Sequence, residues 1–205
     1  MARPMKRSRV AASSAVSGGR FGHRLRRFIH ISMGATPFLY YSSWGVAIAH
    51  SLGLPTRHAL LWLMASLVIV WETIRIWRGW VPLGHRAHEA SHISSFAWGA
   101  LSIILVFLLA PRGLAYAAPI ILSCALADPL LGELRSRGIS RSLVAIVGVL
   151  VVAAVWLAAS VVWSISWKWA LVLAPVTILV EWPNWRWIDD NALMMLVPLM
   201  IVCLQ

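Results

Sequence analysis

Acidic residues are scarce in this sequence: there are seven among 205 residues, and none precedes Glu72. Charge of either sign is sparse too, at 12% of residues against the roughly 25% of a soluble domain. With 60% hydrophobic residues and a mean hydropathy of +0.77, the chain lacks the polar surface that a soluble fold of this length needs. The alternation of apolar and polar residues that marks the strands of a membrane barrel is also missing. Cysteine is nearly absent. Cys124 and Cys203 stand alone in apolar segments, which excludes a disulfide framework and a zinc-ligand spacing. The net charge of +11 does not point to nucleic acid, because the chain has no soluble surface to shape a groove.

What is present is a series of apolar runs, several near the roughly 20 residues needed to cross a bilayer core as a helix. Lipid leaves backbone groups no partners but each other, so such runs fold as helices. The sequence therefore predicts an all-α, polytopic transmembrane helical bundle. Seven helices are expected, at 31–50, 57–78, 93–110, 114–131, 143–165, 168–181 and 192–205. The last two are short for full spans. No soluble domain fits between any pair, and no internal repeat is evident. Residues 25–205 read as one transmembrane domain, preceded by a basic, disordered cytoplasmic tail over 1–24. Pro111-Arg112-Gly113 predicts a tight hairpin. Trp77, Trp80, Trp98, Trp163, Trp167, Trp169, Trp182, Trp185 and Trp187 fall near expected helix ends, as interfacial belts require.

The stretch before Ile31 holds eight basic residues: Arg3, Lys6, Arg7, Arg9, Arg20, Arg24, Arg26 and Arg27. It suits an anionic inner leaflet; its Arg- and Ser-rich, acid-free composition also fits an organelle transit peptide. With the N-terminus inside, 15 Lys and Arg lie on the inner side, the remainder being Arg75, Arg78, Arg86, Arg135, Arg137, Arg141 and Arg186. Only Arg57, Arg112 and Lys168 lie outside, so the N-terminus is expected to be cytoplasmic. On that topology Glu72, Glu89, Asp128, Glu133, Glu181, Asp189 and Asp190 all fall on the inner side. The sorting rule barely weighs Asp and Glu, and carboxylates at membrane helices are costly and usually functional. One cytoplasm-facing polar site ringed by carboxylates and arginines is the simplest inference.

Within that ring, Glu72 and Arg75 share a helix face and can pair, structurally or at the site. The stretch from His85 to His92 places His85, His88 and His92 on one face if helical, beside Glu89. It reads as a zinc-type metal group or as an ordinary solvated loop. Arg86-x-x-Glu89 offers an arginine fork for phosphate held by a carboxylate. Asp128-Pro129 closes an apolar helix ahead of Gly132-Glu133-x-Arg135-x-Arg137-Gly138. This is either a turn in a basic loop or a metal-and-phosphate loop, though not a P-loop. Glu181 closes one helix and Asp189-Asp190-Asn191 opens the next. One aspartate suffices as a helix cap, whereas two with Asn suit Mg²⁺ held together with substrate phosphates.

Taken in order, His30 and Gly34 in a basic lead-in, Glu72-x-x-Arg75, Arg86-x-x-Glu89, Ala127-Asp128-Pro129 with Gly132, and Glu181 ahead of Asp189-Asp190-Asn191 with Pro198 resemble a known family. That family is the CTP-dependent lipid kinases: dolichol, phytol and farnesol kinases and the yeast-type diacylglycerol kinase, distantly related to phosphatidate cytidylyltransferase. The resemblance spans residues 24–200. It departs after the aspartate loop, where the family's Gly-Arg-x-x-Gly step and Lys/Ser/Gly-rich stretch are shortened and Arg141-Ser142 leads straight into Leu143.

The resemblance implies transfer of the γ-phosphoryl group of CTP or another nucleoside triphosphate to a membrane lipid alcohol: a polyprenol, a phytol-like alcohol or diacylglycerol. Mg²⁺ would sit on Asp128, Asp189 and Asp190. Arg86, Arg135 and Arg75 would bind the nucleotide phosphates. Asp128, Asp190 and Glu89 are the expected catalytic carboxylates, with Glu72, Glu181, Asn191 and His30 in support. Phosphoryl transfer needs positioning and charge neutralisation more than covalent chemistry, which such a site supplies. A cytidylyltransferase using the same Mg²⁺–CTP site ranks second. The rival from another class is a transporter or non-catalytic membrane protein. Polar groups at mid-membrane or on the outer side, which a transporter needs, are almost absent.

Overall fold

A computed structural model describes residues 16–182 and 188–204. Arg3, Lys6, Arg7, Arg9, Arg186, Trp185 and Trp187, all invoked above, lie outside the described residues. Within these residues the chain is helical, with no strand and one isolated bridge between Val16 and Arg86. The helices are α1 (Gly19–Ser32), α2 (Thr36–Tyr41), α3 (Ser43–Ser51), α4 (Arg57–Trp77), α5 (Ser95–Leu109), α6 (Leu114–Ser136), α7 (Arg141–Trp163), α8 (Lys168–Glu181) and α9 (Asp190–Cys203). Short 3₁₀ turns cover Met33–Ala35 and Ala87–Ser91.

Three helices, α4, α6 and α7, are long and apolar enough to cross a membrane, while α5 and α9 are apolar but shorter. Of the three, α6 is the central one: 67% of its apolar window is buried, against 22% for α4 and 28% for α7. Helix α7 packs on α6 and α8, and α9 on α5, α6 and α8. Trp156, Ile120, Ile121, Leu173, Met194 and Met195 fill the space between them. Small residues let these helices approach closely. A Cβ at Gly148 on α7 would lie 2.9 Å from both Leu131 and Ile178 side chains. Large apolar residues such as Trp62 and Leu67 on α4 and Leu150, Val161 and Val162 on α7 face outward, as lipid contact requires.

Three boundaries differ from expectation. The helix expected over 31–50 is broken: α1 ends at Ser32, Pro37 opens α2 in its first turn, and an extended Ser42 separates α2 from α3. Ser42 then caps α3, its hydroxyl accepting the Trp44 N–H at 3.2 Å. Second, helix α1 begins at Gly19, so residues 19–24 are helical rather than part of a disordered tail. Third, Asp128-Pro129 does not end a helix, because α6 runs through Pro119 and Pro129 to Ser136. A mid-helix proline removes one backbone donor, but helices of this apolar kind find substitute partners for the freed groups. The hairpin at Pro111-Arg112-Gly113 forms as expected. Arg112 and Gly113 both take positive φ, and a Cβ on Gly113 would press to 2.9 Å from the Tyr41 ring.

Candidate active site

Helix α1 is amphipathic in a way its basic composition conceals. His23, Arg26, Arg27 and His30 recur at three- and four-residue spacing, so they share one face. Phe21, Leu25 and Phe28 lie on the opposite face, with Phe21 and Phe28 exposed. The helix packs its basic face towards α6. Arg27 Nη1 meets Glu133 Oε2 at 2.8 Å. His30 Nε2 lies 3.1 Å from the Cys124 carbonyl and 3.6 Å from Asp128 Oδ2. A carbonyl only accepts, so the imidazole proton sits on Nε2.

Beneath α1 lies a cavity of about 730 Å³. Its basic wall is made by His23, Arg26, Arg27 and His30 of α1, Arg86 and His88 of the segment between α4 and α5, and Arg135 of α6. Asp128, Glu133 and Asp190 supply its acidic lining. Asp128 projects from mid-α6, Glu181 ends α8 and Asp190 starts α9. Packing of these three helices brings one carboxylate oxygen from each within 4.8 Å of the others. It is the one such group of potential metal ligands among the described residues. Glu181 is 2% exposed; its Oε1 accepts from Arg135 Nη2, while Oε2 is buried with no hydrogen-bond partner. Three carboxylates this close repel one another strongly in a poorly solvated site.

The remaining expected residues divide. Arg86 lines the cavity and has no carboxylate at ion-pair distance among the described residues. Glu89 holds the Arg86 backbone N–H at 3.2 Å, not its guanidinium, so the fork is positioned through the main chain. Asn191 is buried beside Cys124, and its N–H is accepted by Asp189 Oδ1 at 3.1 Å and Asp190 Oδ1 at 3.0 Å. Asp189 is the N-cap of α9, and Glu181 takes the place expected for it in the carboxylate group.

Two expectations fail on geometry. Arg75 does not face the cavity. It is fully buried, and its five N–H donors are committed: Nε and Nη2 to Glu72 at 3.0 and 2.7 Å, Nη2 also to the His92 carbonyl at 2.6 Å, and Nη1 to the carbonyls of Trp80 and Glu89. Glu72 is completed by the Ser94 N–H and hydroxyl. This ion pair fastens the loop after α4 and is not a phosphate site. Glu89 is likewise 1% exposed and spent: Oε1 meets Ser95 Oγ at 3.1 Å and Arg26 Nη1 at 3.5 Å. It anchors the basic wall through Arg26.

The histidine-rich stretch forms no metal group either. His85 is buried against the Phe96 ring, centroids 4.9 Å apart, and burial pushes its pKa below the usual histidine value. His92 is exposed, with Nδ1 engaged by Ser91 and the His88 carbonyl.

All seven acidic residues thus join one polar end of the bundle. Glu72 is linked through Arg75 to Glu89, Glu89 through Arg26 to α1, and α1 through Arg27 and His30 to Glu133 and Asp128. Sequence reasoning missed His23, Arg26 and Arg27 as site residues; their helical spacing opposite Phe21, Leu25 and Phe28 is the signal that marks them. Comparison with family models, curated proteins and solved structures finds no match for this chain.

Proposed function

We propose that this protein is an integral membrane phosphotransferase that moves the γ-phosphoryl group of a nucleoside triphosphate, CTP in the first instance, to a membrane lipid alcohol. The observation that carries the reading is the pairing of the Asp128–Glu181–Asp190 group with a cavity walled by arginine and histidine. Nucleotide phosphates need cations on one side and a metal on the other, and this cavity offers both kinds of surface.

The carboxylates fit Mg²⁺, a hard cation that takes oxygen ligands at about 2.1 Å. The unpartnered, buried Glu181 Oε2 is an atom that such an ion would satisfy. When bound, Mg²⁺ would neutralise phosphate charge and align the phosphates for in-line displacement. The chain's own residues do the rest. Arg86, with no carboxylate at ion-pair distance among the described residues, binds phosphate oxygens, and Arg26, Arg27 and Arg135, each paired with a carboxylate, line the wall around it. Glu133 and Glu181 fix Arg27 and Arg135 in place. In the transfer, the lipid hydroxyl oxygen bonds to the γ-phosphorus. The bond to the β–γ bridging oxygen breaks, the nucleoside diphosphate leaves, and the hydroxyl proton passes to a carboxylate lining the cavity.

A bundle of seven spans with the N-terminus and the cavity on the cytoplasmic side accompanies this reading, and the 15-to-three division of basic residues supports it. Ser136 is exposed at the polar end. A Ser136→Cys variant, made in a Cys203→Ser background, is expected to label in intact cells only with a membrane-permeant thiol reagent. Labelling by an impermeant reagent would reverse the orientation.

Nucleotide binding tests the site directly. CTP with Mg²⁺ is expected to raise the melting temperature of the purified protein, and Asp128→Asn is expected to abolish that rise while leaving the unliganded protein folded. An equal shift in both proteins would remove Asp128 from the site.

A further inference from the structure

A second, smaller cavity of about 190 Å³ abuts the first. The two share Arg26 and His30 in their linings. Beyond those residues the chemistry changes. Phe96, Gly99, Ala100 and Ile103 of α5 face it at helical spacing, opposite Ile29 of α1 and Met33 of the turn that follows it. The polar groups that remain lie beside the phosphate cavity. Ser95 hydrogen-bonds Glu89, which holds Arg26, and Asn191 follows Asp190. One end of this groove is therefore charged and the rest is apolar.

We infer that the groove between α1 and α5 holds one hydrocarbon chain of the acceptor lipid, with its hydroxyl passing between Arg26 and His30 into the phosphate cavity. The assignment rests on the phosphotransferase reading for the nature of the head group. An amphiphile with an apolar chain and a hydroxyl end matches the order of surfaces along the two joined cavities. A volume of 190 Å³ holds about six water-sized groups, the first stretch of one chain. Ile29, which lines the groove, is itself exposed, and Phe21 and Phe28 on the same helix are exposed as well, so apolar surface flanks the groove where lipid can supply its occupant. Gly99 is the position that keeps the space clear. A Cβ built there meets no atom within 4 Å, so a side chain at this position starts into open space.

The test uses the full-length protein in lipid nanodiscs and a long-chain primary alcohol carrying a photoactivatable diazirine close to its hydroxyl end. Cross-links are expected on residues 96–103 and around Ile29 and Met33. An unlabelled long-chain alcohol should suppress them and a short-chain alcohol of equal concentration should not. Gly99→Leu is expected to lose the α5 cross-links and to raise the KM for the alcohol at least tenfold, while the Mg²⁺–CTP melting shift stays as in the unmodified protein. Cross-links elsewhere, together with phosphate transfer, would overturn the groove and leave the phosphotransferase reading intact. Cross-links in the groove without phosphate transfer from any nucleotide would support the groove and overturn that reading. Because cross-linking of the unmodified protein decides the matter, a Gly99→Leu variant that failed to fold would not protect the proposal.

Discussion

Asp190→Asn is expected to lower lipid phosphorylation about a hundredfold or more, while Asp189→Asn, one residue away, retains near-normal activity. The two aspartates are equivalent in sequence and different in place. Asp189 is the N-cap of α9, and its carboxylate accepts a main-chain N–H. Asparagine caps helices about as well as aspartate, so that exchange changes little. Asp190 lines the larger cavity and joins Asp128 and Glu181 within 4.8 Å. A metal–phosphate site needs its formal charge. A hundredfold loss corresponds to about 2.7 kcal/mol of transition-state stabilisation, at about 1.36 kcal/mol for each factor of ten. Initial rates against Mg²⁺ concentration check this, with the melting temperatures of both variants expected near that of the parent. Equal losses in the two variants, or none in either, would dissolve the distinction between cap and ligand.

The second large effect lies away from the chemistry. Arg75→Met is expected to destabilise the protein by about 3–5 kcal/mol, the usual result of removing one partner from a buried ion pair. Glu72 would be left buried without its counter-charge, and the carbonyls of Trp80, Glu89 and His92 would lose a shared donor. Arg75→Lys should rescue little, because an ammonium offers three donors from a point where the guanidinium offers five in a fixed plane. Thermal unfolding in detergent measures the loss. Since the loop that Arg75 fastens carries Arg86, nucleotide protection should weaken with it. If Arg75→Met instead kept the parent's melting temperature and lost only nucleotide binding, the arginine would belong to the phosphate site after all.

These two cases mark where sequence stops being informative. That Glu72 and Arg75 pair is legible from their spacing, but the fate of the other guanidinium donors depends on a loop whose carbonyls arrive from 14 and 17 residues away. The gathering of all the acidic residues at one end is legible as well, because each falls on the same side of the expected topology. Which carboxylates converge is not. Glu181 reads as an isolated helix-end residue, and Asp189 looks as good a ligand as Asp190 until the α9 cap claims it. The convergence arises from tertiary packing of α6, α8 and α9, and no local pattern encodes it.

The local rules also mislead in specific ways. Asp128-Pro129 reads as a helix end because proline breaks helices in water, yet α6 continues to Ser136 in an apolar setting where ending the helix would strand backbone groups. That continuation is what puts Asp128 a helical turn from Gly132 and places Arg135 over Glu181. The basic lead-in reads as a tail because its charge dominates its composition. The same residues, sorted by helical period, make α1 the wall shared by both cavities.

Transfer of a phosphoryl group to a lipid hydroxyl can be followed by the fate of the labelled phosphate. Purified protein in mixed-lipid nanodiscs is incubated with Mg²⁺ and CTP labelled either at the γ- or at the α-phosphate, and the extracted lipids are separated. Mg²⁺-dependent label is expected in a lipid product from γ-labelled CTP, none from α-labelled CTP, and neither in Asp128→Asn. Lipid labelled from the α-phosphate would mark a cytidylyl transfer and contradict the reaction proposed. If ATP and GTP also leave every lipid unlabelled, the enzymatic reading itself is wrong.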